Sequence, residues 1–229
     1  MAVRRRAPRR FRDRGAGTGL SPRRPAQPGC FDPRGDGTDT RAVAGAYLNN
    51  QLLVAMPSLA DPNFSHSVTL ICEHSERGAL GIVINRPLEM KLAEVLEQLS
   101  LTTADARLRE MPVLAGGPVQ RDRGFVLHRP SPQAFESTMG VSDTLCVTTS
   151  RDVLAAMAEG KGPAQAVIAL GYAGWEAGQL EEEVLQNAWL TVPCDDSLVF
   201  ELPYEQRWHA AARLLGIELS RISTQAGRA

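Results

Sequence analysis

Three short stretches of this chain hold residue types that could bind or transform a ligand. Asn85-Arg86-Pro87 sets an amide beside a guanidinium. The proline biases Arg86 towards extended backbone, which fixes where its side chain points. A planar guanidinium matches carboxylate or phosphate, so the stretch reads as an anion or nucleotide contact. The favoured, plainer role is a structural Arg tied to a neighbouring carboxylate or to loop carbonyls. Gly171-Tyr172-Ala173-Gly174-Trp175 reads as a Gly-rich strand-to-helix turn. Free backbone N–H groups in such a turn can face an anion, and Tyr172 and Trp175 could stack on a ligand. It lacks a P-loop Lys and the full GxGxxG, so a tight turn whose aromatics close the core is favoured. Gly116-Gly117-Pro118 leads to His128 at a strand end, where a general base could sit. No Ser, Cys or acid is set beside His128 by a local motif, which favours a structural histidine. Asn85, Arg86, His128, Tyr172 and Trp175 are therefore the candidate ligand contacts, with no catalytic residue assigned.

Other chemistries find less support. GxSxG, HExxH and Walker sequences are missing. His66 and His74 stand eight apart with no Cys at ligand spacing, and Asp61, Asn63, Asp195 and Asp196 read as turn formers. No metal and no cofactor is expected.

The elements that must position these residues follow from periodicity. The central stretch is Leu52 to Pro87. Leu52–Ala55 reads as a strand stopped by Pro57, and Asp61-Pro62-Asn63 as a turn after which Phe64 folds back onto the core. Ser67–His74 and Ala79–Asn85 form a hairpin through Ser75-Glu76-Arg77-Gly78. Apolar residues occupy both faces of the hairpin, which predicts cover on two sides, and Gly81 marks a bulge or a close backbone neighbour. A helix over Lys91–Ser100 follows from Leu92, Val95, Leu96 and Leu99 at i, i+3, i+4 and i+7. Residues 102–110 read as a loop with a helical turn. Strands are predicted at Met111–Ala115, Gly124–His128 and Thr144–Thr148, then a helix at Arg151–Glu159 capped by Ser150. Next come a buried strand at Ala164–Leu170, a helix at Gln179–Gln186, strands at Trp189–Val192 and Ser197–Glu201, and a helix from Pro203 to Leu215. Short strands in hairpin order among a few helices imply α+β with a mainly antiparallel sheet.

The motifs DPNFSHSV…GALGIVINRP, LAGGPVQRDRGFVLH, LGYAGWEAGQLEEEVLQNAWL and LVFELPYEQRWHAAARLLGI, in that order, resemble the signature of the AlgH/YqgE family. The likeness spans Tyr47 to Ile217. It implies a strongly bent, bifurcated sheet forming a pseudo-barrel flanked by helices. It also implies a proposed regulator of gene expression whose molecular function is unknown. Such a protein would act through a protein or nucleotide partner. The alternative is a small-ligand binder or enzyme whose pocket joins the Asn85-Arg86 and Gly171–Trp175 turns.

Composition divides the chain. The 229 residues sum to a charge of −1, yet residues 1–42 hold eleven Arg, no Lys and four Asp, a net of +7. That leaves −8 for residues 43–229, which read as a single globular domain. The Arg/Pro/Gly-rich extension has too few aliphatic residues to bury a core and is expected to be disordered. The favoured account is a start codon placed too far upstream, with Val43 as a GTG start. Should the extension be made, it is the one segment whose charge suits nucleic acid. Arg107, Arg109, Arg121, Arg123 and Arg129 are a second candidate basic face, although the −8 charge argues against DNA binding by the folded part. No stretch approaches the ~20 apolar residues of a membrane span, so no membrane partner is expected. Cys30, Cys72, Cys146 and Cys194 are isolated, which reads as free thiols in a reducing, cytoplasmic setting.

Overall fold

The computed structural model describes residues 47–216. The expectations for the extension and for Cys30 lie outside the described residues. Among the described residues, ten strands and six helices follow one another. They are β1 (Gln51–Ala55), β2 (Val68–Ser75), β3 (Gly78–Val83), β4 (Pro87–Lys91), α1 (Leu92–Gln98), α2 (Ala106–Arg109), β5 (Pro112–Ala115) and β6 (Val119–His128). After them come β7 (Thr138–Gly140), β8 (Cys146–Thr148), α3 (Arg151–Ala158), β9 (Ala166–Trp175), α4 (Gln179–Leu185), β10 (Trp189–Pro193), α5 (Asp196–Phe200) and α6 (Tyr204–Arg213).

The strands run in the order β10-β1-β2-β3-β9-β6-β8-β7, and β5 joins β4 to β9. Every pairing is antiparallel except β5 with β9. The sheet forks at β9. Ala166–Leu170 pair with β6 and, in part, with β5. Ala173–Trp175 pair with β3 on the other branch. Gly171, at φ 75°, sits at the fork. It acts as a bulge: Val167 and Ala169 point into the central core, whereas beyond it Tyr172 takes that side and Ala173 and Trp175 the other. One inserted residue has exchanged the two faces.

Alternating side chains fill three cores. The curl encloses Leu52, Val54, Leu70, Ile82, Leu114, Leu127 and Ala169, closed by Val199, Trp208 and Ala211 from α5 and α6. On the outer face of one branch, Val113, Val126 and Ile168 pack under α1, α2 and α3. On the other, Leu53, Ile71, Trp175 and Trp189 pack under α4, with Phe64 folded against both tryptophans. The hairpin is thus covered on both faces, as its apolar pattern implied. The fold is α+β with a bent, forked, mainly antiparallel sheet curled into a half-barrel.

Two readings of the chain are corrected. Ser197–Glu201 is not a strand. Asp195 accepts hydrogen bonds from the Ser197 N–H and hydroxyl and starts α5. Gly171–Trp175 is not a turn. Gly171 serves close backbone approach to Gly117 and Val119 inside β9, and Tyr172 to Trp175 pair with β6 and β3. β4 and β7 had no clear pattern, being short and exposed at their edges. At α3, Ser150 occupies the cap position but gives its hydroxyl to Asp152, which accepts from the Val153 N–H instead.

Cys72 is 3% exposed in the central core, and Cys194 packs against the same cluster. Burial pushes both thiols up, Cys194 to about 12 with help from Asp196 and Asp195. An unfolded thiol ionises near 9. The stability these thiols contribute is therefore complete below pH 9 and lost as pH climbs towards 12. Urea midpoints from pH 8 to 11 should fall, and Cys194→Ala should flatten that fall. Equal slopes for the two proteins would contradict this burial.

Candidate functional site

Asn85 and Arg86 leave the sheet just after β3, and the loop before β2 consumes most of their donors. The Asn85 Oδ1 accepts from the Val68 N–H at 2.8 Å, and its Nδ2 donates to the His66 carbonyl at 2.9 Å. The amide thereby extends the β2–β3 ladder by one rung. Arg86 donates from Nη1 to the Pro62 carbonyl (2.8 Å) and from Nη2 to the Ser65 carbonyl (2.5 Å). These are the loop carbonyls of the plainer reading. They also immobilise the guanidinium, and Arg86 lines a cavity of about 320 Å3 with Asn63, Leu88, Ala115 and Arg121.

Arg121 comes from the other side of the fork. β6 pairs with β9 at Val119–Tyr172 and again at Gly124–Leu170, so Gln120–Arg123 stand against Gly171 alone. The four residues are squeezed out of the ladder as an exposed protrusion, with Gln120 at φ 46°. Arg123 folds over the Phe125 ring at 5.4 Å. Arg121 reaches the loop, where its Nη2 donates to Asn63 Oδ1 at 3.4 Å.

A second cavity, of about 400 Å3, opens on the far side of Arg121. Its floor is Met90, Val95, Leu99, Val126, Leu154 and Ile168, and Arg121, Asp122, Arg151, Gln98 and Thr149 stand around it. Arg151 spans from α3 to the Leu99 carbonyl at 2.6 Å. The N-terminus of α3 is already occupied. The Asp152 carboxylate accepts from the N–H groups of Glu136 and Val153. Burial pushes that carboxyl up, yet the Ser150 hydroxyl and the backbone N–H groups outweigh it and hold it below the usual range.

Two guanidiniums, those of Arg86 and Arg121, belong to residues lining the first cavity. Ion pairs among the described residues join Arg129 to Asp196 and Lys161 to Glu159, and His74, whose Nδ1 accepts from the Leu48 N–H, hydrogen-bonds Glu181 through Nε2. Neither Arg86 nor Arg121 has a carboxylate within 4.0 Å among them, and none lines this cavity. Burial pushes the Arg86 guanidinium down from its ordinary value, against the pull of Asp61.

The remaining candidates lie elsewhere. His128 is 1% exposed, with Nδ1 on the Arg129 carbonyl at 2.7 Å and Nε2 on the Thr148 hydroxyl at 2.8 Å. Thr138 continues the chain to Thr148 at 2.6 Å. Both ring nitrogens are satisfied, which leaves no free base. Tyr172 packs against the central core, and Trp175 is 6% exposed under α4, its indole N–H donating to Glu183. The expectation of one pocket shared by the Asn85-Arg86 and Gly171–Trp175 stretches is corrected accordingly, because the bulge at Gly171 turns both rings inwards. The basic segment disperses too. Arg107 and Arg109 line separate cavities, and Arg129 is paired with Asp196. Arg121 had been only one member of that segment. The clue to it was a polar run, Gln120–Arg123, interrupting an apolar strand. Among the described residues no group of three His, Cys, Asp or Glu is placed to hold a metal, and no helix is long and apolar enough to cross a membrane.

A half-barrel of α+β class, with an arginine-lined notch at the fork of its sheet, is thus the kind of protein the geometry defines. A family model described as AlgH-like (DUF179) matches residues 52–220, and this chain belongs to that family. A UPF0301 protein of Thioalkalivibrio sulfidiphilus is 57% identical over 187 residues, covering 82% of this chain and 100% of that protein. A UPF0301 protein of Nitrosococcus oceani is 52% identical over 183 residues, 80% of this chain and 97% of that one. The solution structure of the AlgH protein from Pseudomonas aeruginosa is similar at 51% identity and a TM-score of 0.67, covering 83% of this chain and 100% of that one. Protein DIP2367 of Corynebacterium diphtheriae shares the fold at 21% identity and a TM-score of 0.57, covering 72% of this chain and 86% of that one.

Proposed function

We propose that this protein is a cytoplasmic, non-enzymatic regulator of gene expression that acts through a small anionic partner of the nucleotide class. The phosphate of that partner is held at the notch between Arg86 and Arg121. One observation supports the reading: two guanidiniums, the first clamped by the carbonyls of Pro62 and Ser65, border a cavity lined by no carboxylate. Fixed guanidinium forks are suited to phosphate, and a fixed one loses little freedom on binding. The −8 charge of residues 43–229 argues against a grip on DNA by this part of the chain. Any nucleic-acid contact is assigned to the Arg-rich segment 1–42.

Thermal shift of the full chain with AMP, GMP, pyrophosphate and inorganic phosphate tests the reading. Ligand at 100 times Kd adds about 2.7 kcal/mol, a rise of roughly 5–11 °C for a chain of this size. Arg121→Ala, at an exposed position, should abolish the rise. No rise with any of these probes would overturn the reading. Retention of DNA by a variant lacking residues 1–42 at physiological salt would replace it with a DNA reader.

A further inference from the structure

We infer that the two cavities beside Arg121 form one divided site, whose ligand is a phosphomonoester with a flat apolar body. The inference rests on the anion reading above and names the rest of the ligand. Arg121 and Leu170 line both cavities, so one side chain on an exposed protrusion is the partition between them. The compartment on the Arg86 side offers two guanidiniums and the Asn63 amide, and no carboxylate. A phosphate carries enough charge and acceptor oxygens to engage both forks at once.

The other compartment has a different character. Its floor is Val95, Leu99, Leu154 and Ile168. Its hydroxyls are largely committed: Thr148 to His128 and Thr138, Ser150 to Asp152. Gln98 and Thr149 remain to read a polar edge, with the charged groups of Asp122 and Arg151 at the rim. The apolar floor selects the body for shape and apolar area, and the Asp122 carboxylate at the rim disfavours a second negative charge on it. The site therefore demands the phosphate and is tolerant of the body.

Calorimetry of the full chain with 1-naphthyl phosphate, inorganic phosphate and 1-naphthol reads this directly. Naphthyl phosphate should bind at least tenfold tighter than phosphate, and naphthol at least tenfold more weakly than naphthyl phosphate. Gln98→Trp, which fills the second compartment from an exposed position of α1, should erase the gain due to the naphthyl group and leave phosphate binding unchanged. Leu154→Phe should do the same from the floor. Equal affinities for naphthyl phosphate and phosphate would overturn the divided site and leave the anion reading standing. A naphthyl gain that survives both variants would overturn it as well. Binding of neither phosphate compound would remove both readings.

Discussion

Gly117→Ala should cost this protein at least about 3 kcal/mol, at or above the upper end of ordinary overpacking. A Cβ at Gly117 would lie 2.1 Å from the Tyr172 carbonyl carbon, 2.3 Å from its oxygen and 2.4 Å from the Ala173 nitrogen. All three are backbone atoms of β9, and β9 cannot recede. Tyr172 pairs with Val119 of β6, and Ala173 pairs with Gly81 of β3. Neighbouring bonds lock the crossing from below: the Val83 N–H donates to the Gly116 carbonyl, and the Gly116 N–H to the Leu170 carbonyl, each at 2.8 Å. Gly171→Ala strikes the same place from the other side. Its Cβ would meet the Gly117 carbonyl oxygen at 2.6 Å, and φ there is 75°. Domains of this kind hold only about 5–15 kcal/mol in all, so the loss should be plain in urea unfolding. Gly124→Ala is the control. A Cβ there meets nothing within 4 Å, and the change should stay under about 1 kcal/mol. A Gly117→Ala midpoint equal to the control's would mean that the two branches do not cross in backbone contact.

Arg207→Ala should cost about 3–5 kcal/mol, because it leaves two buried carbonyls without donors. Arg207 is 2% exposed on α6. Its Nη1 donates to the Ile84 carbonyl at 2.5 Å and its Nε to the Leu202 carbonyl at 3.0 Å, while the guanidinium lies 4.4 Å over the Tyr204 ring. Burial pushes the guanidinium down to about 10, opposed by Tyr204 and Glu205, so it is charged at neutral pH. One planar group thus joins α6, the turn before it and the end of β3, two residues ahead of Arg86. Arg207→Lys should recover less than half of the loss, since a single ammonium cannot reproduce two directed bonds and a stacked face. Chemical denaturation of the three proteins at pH 7 measures this. A loss under about 1 kcal/mol for Arg207→Ala would show that α6 is held by its apolar face alone.

Much of this molecule was legible because its signals are local. The β2–β3 hairpin, α1 and α3 carry their periodicity within ten residues, and the family motifs named the fold. Asn85-Arg86 was legible as a structural clamp, because a guanidinium before proline has a restricted direction. Its structural bonds go to loop carbonyls, one of the two alternatives the residues themselves suggested. Helix α5 was misread because the apolar run Leu198–Phe200 suits a short strand as well as a helix. The Asp195 cap, visible as a residue type, was given to a solvated turn.

The amino-acid sequence alone determined the α+β class, the family, the main elements and a rigid cation at Arg86. The tertiary structure decided what that cation faces. Gly171 looked like a turn residue, and only the crossing of β9 with Gly116-Gly117 shows that it forks a sheet and turns Tyr172 and Trp175 inwards. Arg121 looked like one basic residue among five. It becomes a partner of Arg86 because the ladder closes on either side of Gln120–Arg123 and expels them beside a loop nearly 60 residues earlier in the chain. Periodicity reports which face of an element is buried; it carries no information about which distant backbone will lie against it.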